Sequence, residues 1–305
     1  MRLRSLALAL CTTSLGVACA TTPPTPETGK LFLWQVERPD GDGGVAHLLG
    51  SVHLSEQEMS FDPAVDRALA AADTLVLEIA PEDLNPADVA YLSVEKGHFL
   101  DGRTLDSVIA PETWRALEAR VAELGLSIES FRPMEPWFAL LTLQMLALQR
   151  EGYEVENGVE KKLAADAQEN GKPTQGLETP EEQLDAFDSL PLALQERQLR
   201  DFLEQGGGAA GDLAVLLEAW RKGDEARLEH ELFGELARDP SLAPYYELFY
   251  FERNDRMARG IAERVDAGGR WFVAVGAGHV VGARGIPSLL SQHGYRVRRI
   301  PKTHP

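Results

Sequence analysis

Arg270 to Ile300 reads RWFVAVGAGHVVGARGIPSLLSQHGYRVRRI, and the fold class rests on it. Trp271 to Val275 is apolar and β-branched, which suits a buried strand, and Gly276, Ala277 and Gly278 then free the backbone just ahead of His279. An imidazole is thereby delivered at a strand's carboxyl end. Ile286 to Gln292 has helical character and stops at Gly294, after which Tyr295 to Ile300 returns to an extended pattern. Strand, loop, helix and strand within about 30 residues is the length of a βαβ unit, and open α/β sheets place ligands at the carboxyl ends of such strands.

The same device stands near the other end of the chain, where Val45 to Leu49 lead into Gly50, Ser51, Val52 and His53. Two apolar runs ending in G-x-x-H, far apart in sequence, point to one shared site. Around the first of them, Leu31 to Val36 and Val45 to Leu49 read as strands joined by the turn-rich Asp40-Gly41-Asp42-Gly43-Gly44, so the sheet is expected to begin with an antiparallel hairpin. Asp62-Pro63 opens a helix to about Ala72, and Thr74 to Ala80, TLVLEIA, is expected to be a strand with Glu78 inside it. A carboxylate among such apolar neighbours is costly unless a cation, a metal or donors satisfy it. Glu78 is therefore expected to serve a site.

From Asn85 to about Ala210 the pattern is mostly helical, with segments at Pro111 to Leu124, Pro136 to Arg150 and Gly158 to Asn170. WFALLTLQMLAL is core helix rather than a cofactor box. Pro173 to Leu177 is a short strand, and Glu178 stands where it gives way to the helix EEQLDAFDSL. Gly206 to Gly211 is a flexible break, Leu213 to Arg221 and Glu225 to Arg238 are helices about Gly223-Asp224, and Pro244 to Val265 is a long helical stretch. The fold class expected is mixed α/β, a central mixed sheet flanked by helices, with a large helical insertion between its two halves. Residues 30–305 form one domain in this scheme.

The first thirty residues belong to targeting rather than to the fold. Arg2 and Arg4 precede an apolar run and then small residues, the layout of a secretory signal. Ala18-Cys19-Ala20 suits a small-x-small cleavage site, but Cys19 as the lipid-bearing first residue of a bacterial lipoprotein is the favoured reading, because Thr21 to Thr28, TTPPTPET, resembles the tether that comes after such a cysteine. Residues 1–19 are then the leader and 20–29 the tether. Either route exports the protein to the cell envelope, with the membrane met only through a lipid anchor. Both cysteines, Cys11 and Cys19, lie in this leader, so the mature domain has no disulfide. The formal charge of −18 repels phosphate backbones and disfavours nucleic acid as a partner. With 44% of its 305 residues hydrophobic, the chain has ample material for a core.

In order and spacing, GSVH at 50–53, LVLEI at 75–79, GLETPEEQ at 176–183, ERNDRMA at 252–258 and VAVGAGHVVGARGIPSLLSQHGYRV at 273–297 resemble the TraB/GumN family. That family is similar to the TIKI metalloproteases and, more remotely, to erythromycin esterase and the haem-binding ChaN proteins. The resemblance implies a cleft on which His53, Glu78, Glu178, Arg253 and His279 converge. Two imidazoles with one or two carboxylates, drawn from His53, Glu78, Glu178 and His279, suit Zn²⁺, Mn²⁺ or Co²⁺ with an open position for water. Arg253 would hold a carboxylate, that of a substrate or of Glu78 or Glu178. The resemblance thus implies a metal-dependent hydrolase acting on a peptide or a small amide or ester. A metal-free histidine and glutamate hydrolase, and a protein that only binds a peptide or haem, are the alternatives.

Overall fold

A computed structural model describes residues 30–57 and 59–303. The proposed leader and tether, and His304, fall outside them. Six strands form one sheet: β1 (Lys30–Glu37), β2 (Val45–Ser51), β3 (Thr74–Leu77), β4 (Thr174–Gly176), β5 (Arg270–Gly276) and β6 (Arg296–Pro301), in the order β4-β3-β5-β2-β1-β6. β1 and β2 are the expected antiparallel hairpin, and β6 also pairs antiparallel with β1. β2, β5, β3 and β4 run parallel, so four carboxyl ends lie along one edge. The sheet is mixed, as the pattern of the chain requires.

Alternation along the strands sorts the core into two layers. Leu33, Leu49, Leu75, Leu77, Phe272 and Ala274 join one cluster, packed with helices Pro63–Ala71, Pro136–Arg150 and Val159–Glu169. Their neighbours Phe32, Trp34, Leu48, Val76, Val273 and Val275 join a second cluster with helices Glu252–Ala267 and Ile286–Gln292. A period of two with both faces apolar means a sheet covered on both sides. The charged groups of the site therefore lie at the sheet's edge, between the layers.

Three local differences from the sequence expectation bear on that edge. β3 ends at Leu77, so Glu78 lies just beyond the strand rather than within it. There its side chain turns across the strand ends instead of into a face. The C-terminal β5, helix and β6 do form a crossover, but β2 and β1 lie between the two strands because β6 gains a partner in β1. Finally, the helix after the glycine run begins at Ala210, and Ala209 and Ala210 are buried, so the break is confined to the residues before them.

Candidate functional site

Strand register sets the site. Ser51 of β2 pairs with Gly276 of β5, so the two G-x-x-H turns leave the sheet side by side. β3 and β5 are also paired, and Leu77 of β3 pairs with Gly176 of β4. Past those ends the Glu178 amide donates to the Glu78 carbonyl at 2.8 Å. His53, His279, Glu78 and Glu178 thus come from four adjacent strand ends.

Gly276 marks where they meet. A Cβ there would lie 3.1 Å from His53 Nε2, 3.2 Å from Glu78 Oε1 and 3.6 Å from His279 Cδ2. Only glycine leaves that space open, and its amide donates to Glu78 Oε1 at 2.6 Å. His279 Nε2 is 3.8 Å from the same oxygen.

Arg253 ties the carboxylates together. Its Nη2 donates to Glu78 Oε2 and to Glu178 Oε2, each at 2.7 Å, and its Nε reaches Glu178 at 3.0 and 3.1 Å. Nη1 donates to the Phe249 carbonyl at 3.1 Å. Arg256 reaches Glu178 Oε1 at 3.2 Å, and Gln183 Nε2 donates to Glu78 Oε2 at 3.0 Å. Arg253 therefore holds Glu78 and Glu178, one of the alternatives expected for it. Both oxygens of Glu178 face the two arginines. Burial pushes the Glu78 carboxyl up, but the charges of His279, Arg253 and His53 and the Gly276 amide outweigh it and hold the group well below the usual carboxylate range.

Residues that the sequence did not single out orient the imidazoles. Glu160 Oε1 lies 3.0 Å from His53 Nδ1, and the Ser51 hydroxyl donates to the same oxygen. Asn254 Oδ1 lies 2.6 Å from His279 Nδ1, while its amide nitrogen donates to the Arg284 carbonyl. That second bond identifies Oδ1 as the acceptor, so His279 Nδ1 carries a proton and Nε2 is left free. Glu160 is delivered by Gly158, where a Cβ would collide with the His53 carbonyl. The arginine-bearing helix Glu252–Ala267 is entered through a π-turn at Glu247–Phe251, which places Tyr250 with its ring centroid 5.5 Å from that of His279.

The two histidines are poised in opposite directions. Burial alone would lower His53, but the Glu160 carboxylate, by charge and hydrogen bond, lifts it to about 9. Burial and the Arg253 charge lower His279 to about 4, against the pull of Glu78. At neutral pH the metal-free site holds one imidazolium and one neutral imidazole.

The donor types suit a divalent ion: His53 Nε2 and Glu78 Oε1 face the gap beside Gly276, and His279 Nε2 stands 3.8 Å from that oxygen. Among the described residues, however, no three His, Cys, Asp or Glu side chains stand close enough together to hold one as placed. A cavity opens from this gap, lined on its other side by leucine and aromatic side chains.

Fold and site define a mixed α/β protein with a cleft of two histidines and a glutamate at the carboxyl edge of its sheet. The model of the TraB/PrgY/gumN family matches residues 32–299, and the chain belongs to that family. It is 27% identical over 248 residues to the uncharacterized protein YbaP of Escherichia coli, covering 80% of this chain and 87% of YbaP. It is 29% identical to the metalloprotease TIKI2 of Danio rerio over 168 residues, covering 47% of this chain and 32% of TIKI2. With the metalloprotease TIKI1 of the same fish it shares 23% identity over 94% of this chain and 66% of TIKI1. No solved structure matches the chain.

The hydrogen bonds of Glu78 predict how its amide variant behaves. Glu78 accepts at both oxygens, so Glu78→Gln sets its amide against a donor in either orientation. The variant should melt lower, with a loss below the roughly 3 to 5 kcal/mol of a broken buried pair because Glu178 still holds Arg253. Any turnover that the cleft supports should fall, per folded molecule, by a factor of about 10² or more, read by a melt and a rate assay on one preparation. Unchanged turnover per folded molecule would remove Glu78 from the chemistry.

His53 should make stability depend on pH. Its raised pKa contributes stability that is fully present below the ordinary value of 6.5 and is lost as pH rises through about 9. Chemical denaturation of the metal-free protein should therefore show stability falling across that window. Glu160→Gln keeps an acceptor for Nδ1 without its charge, so the fall should flatten and the His53 ring, followed by NMR, should titrate lower.

Proposed function

We propose that the protein is a metal-activated hydrolase of peptide or other amide bonds. The observation that carries this reading is the approach of His53 Nε2, Glu78 Oε1 and the His279 ring to one point beside Gly276. His53, His279 and Glu78 would hold the ion, Zn²⁺, Mn²⁺ or Co²⁺, by side-chain movement that closes them on it, since as placed no three such groups among the described residues are near enough together. Bound there, it would lower the pKa of a water and polarise a carbonyl. Glu178 is not among these ligands, because its oxygens already accept from Arg253 and Arg256.

The chain's own groups supply orientation. Glu160 and Asn254 engage the Nδ1 atoms, leaving each Nε2 turned to the gap, a common second layer around metal-bound histidine. Arg253 and Gln183 fix Glu78 through Oε2, leaving Oε1 towards the histidines. The similarity to the TIKI metalloproteases supports a hydrolytic reading. One observation favours a metal-free hydrolase instead, the different partners of the imidazoles, a carboxylate on His53 and a neutral amide on His279. In that scheme neutral His279 takes a proton from water and charged His53 gives one to the leaving amine.

Metal analysis of the purified protein, combined with a peptide-library assay before and after chelation, separates the two. The expected result is about one equivalent of metal, lost in both His53→Ala and His279→Ala, and hydrolysis that chelation lowers by about 10² or more and the ion restores. Full activity after chelation would leave the metal-free reading in its place.

Among the described residues no helix is long and apolar enough to cross a membrane. Export with Cys19 acylated is the proposed localisation, supported by the leader and the TTPPTPET tether. Cys19→Ala should abolish incorporation of a fatty-acid probe; a soluble, normally processed product from both forms would leave plain secretion.

A further inference from the structure

The cavity beside the histidines has a second wall that the hydrolytic residues do not use. Leu213, Leu216, Leu228, Leu232, Phe249 and Tyr250 line it. They belong to three separate parts of the core: Leu213 to the cluster on one sheet face, Leu216, Leu228 and Leu232 to that on the other, Phe249 and Tyr250 to a third, aromatic one. The three clusters approach one another here without closing. Protein interiors otherwise pack to crystal-like density, and apolar space left open lowers stability.

The change from charge to hydrocarbon takes two residues. A Cβ on Gly276 would meet His53 and Glu78, whereas a Cβ on Gly278 would meet Tyr250 Cε1 at 2.7 Å and Leu232 Cδ1 at 3.4 Å. The titratable groups that line the cavity are His53, Glu78, Arg253 and His279, and each already has a partner within the site. Among the described residues the apolar wall offers no charged group to a ligand. A charged side chain placed against it would be desolvated without a counter-charge, which is costly. A neutral apolar one would fill space that the core leaves open.

We propose that this wall is a specificity pocket, taking a neutral apolar side chain, aliphatic or aromatic, next to the amide bond that is cleaved. The inference rests on the hydrolytic reading for the bond and on the leucine wall alone for the side chain. Helices Ala210–Lys222 and Glu225–Phe233 supply the four leucines, so the helical insertion sets specificity while the strand ends set chemistry.

Binding tests it independently of turnover. Calorimetry with the full mature chain would compare N-acetyl-leucinamide and N-acetyl-phenylalaninamide with the glycine, aspartate and lysine amides. The apolar pair should bind at least about tenfold tighter, within the range a hydrophobic pocket discriminates. Leu232→Trp, which fills the pocket, should abolish that preference, and Leu216→Phe repeats the test by a smaller change, with circular dichroism confirming the fold of each. Equal binding of all five amides, or a preference that survives both variants, would overturn the proposal even if peptides are hydrolysed. Apolar amides bound selectively with no peptide cleaved, whatever metal is supplied, would sink the hydrolase and leave the pocket standing.

Discussion

Arg253, Glu78 and Glu178 are 8%, 7% and 5% exposed, and three charges so far from water are tolerable only when each is answered. The site depends on that buried guanidinium. Nη2 of Arg253 lies between the two carboxylates, Arg256 and Gln183 add one donor to each, and the Gly276 amide donates to Glu78 Oε1, which keeps a lone pair. A buried ionic group of this kind contributes little net stability over a hydrocarbon core, while removing one member exposes the others to the full cost of desolvation. What it provides is geometry: a carboxylate held ionised at one position, with one oxygen turned to two imidazoles.

That geometry rests on the sheet. Parallel strands leave their carboxyl ends on one edge, and the pairing of Ser51 with Gly276 brings the two histidine turns into contact. Close approach then demands glycine. Gly50 would push a Cβ to 2.5 Å from Val280, and Gly158 would push one onto the His53 backbone. The glycines of the two G-x-x-H turns thus let backbone and ring share a space that a methyl group would take.

How much of this is legible in the sequence depends on the range of the interaction. His53 and His279 are readable because each comes after an apolar strand and a glycine, a local pattern. Glu78 stands out because a carboxylate in TLVLEIA has no local partner. Arg253 is placed only through the family motif, since nothing around ERND marks which cation is buried. Glu160 cannot be placed from its own segment, where it reads as an ordinary first-turn glutamate of an amphipathic helix. Its meaning lies in Ser51 and His53, more than a hundred positions away. Gly158 is a faint signal, standing where a better helix cap would be expected and explained only by contact with the His53 carbonyl. The π-turn at Glu247–Phe251 leaves no mark at all, because tertiary packing rather than propensity makes it.

The different partners of the two histidines make sense as a matter of charge. Glu78, Glu178 and Glu160 bring three negative charges to the cavity's edge, and Arg253 and Arg256 bring two positive ones. An imidazolium at His53 makes the group neutral. An aspartate in place of Asn254 would orient His279 as well but would add a fourth carboxylate, and in a medium of low dielectric that excess is expensive. Asn254 supplies the acceptor without the charge, so His279 stays neutral beside the ionised Glu78. The proton on His53 is then the one positive charge in the cluster that can leave at modest cost. A divalent cation held by His53, His279 and Glu78, as proposed, would take the place of that proton, changing the site by a single net charge, and the arginine and carboxylate framework would remain as it is.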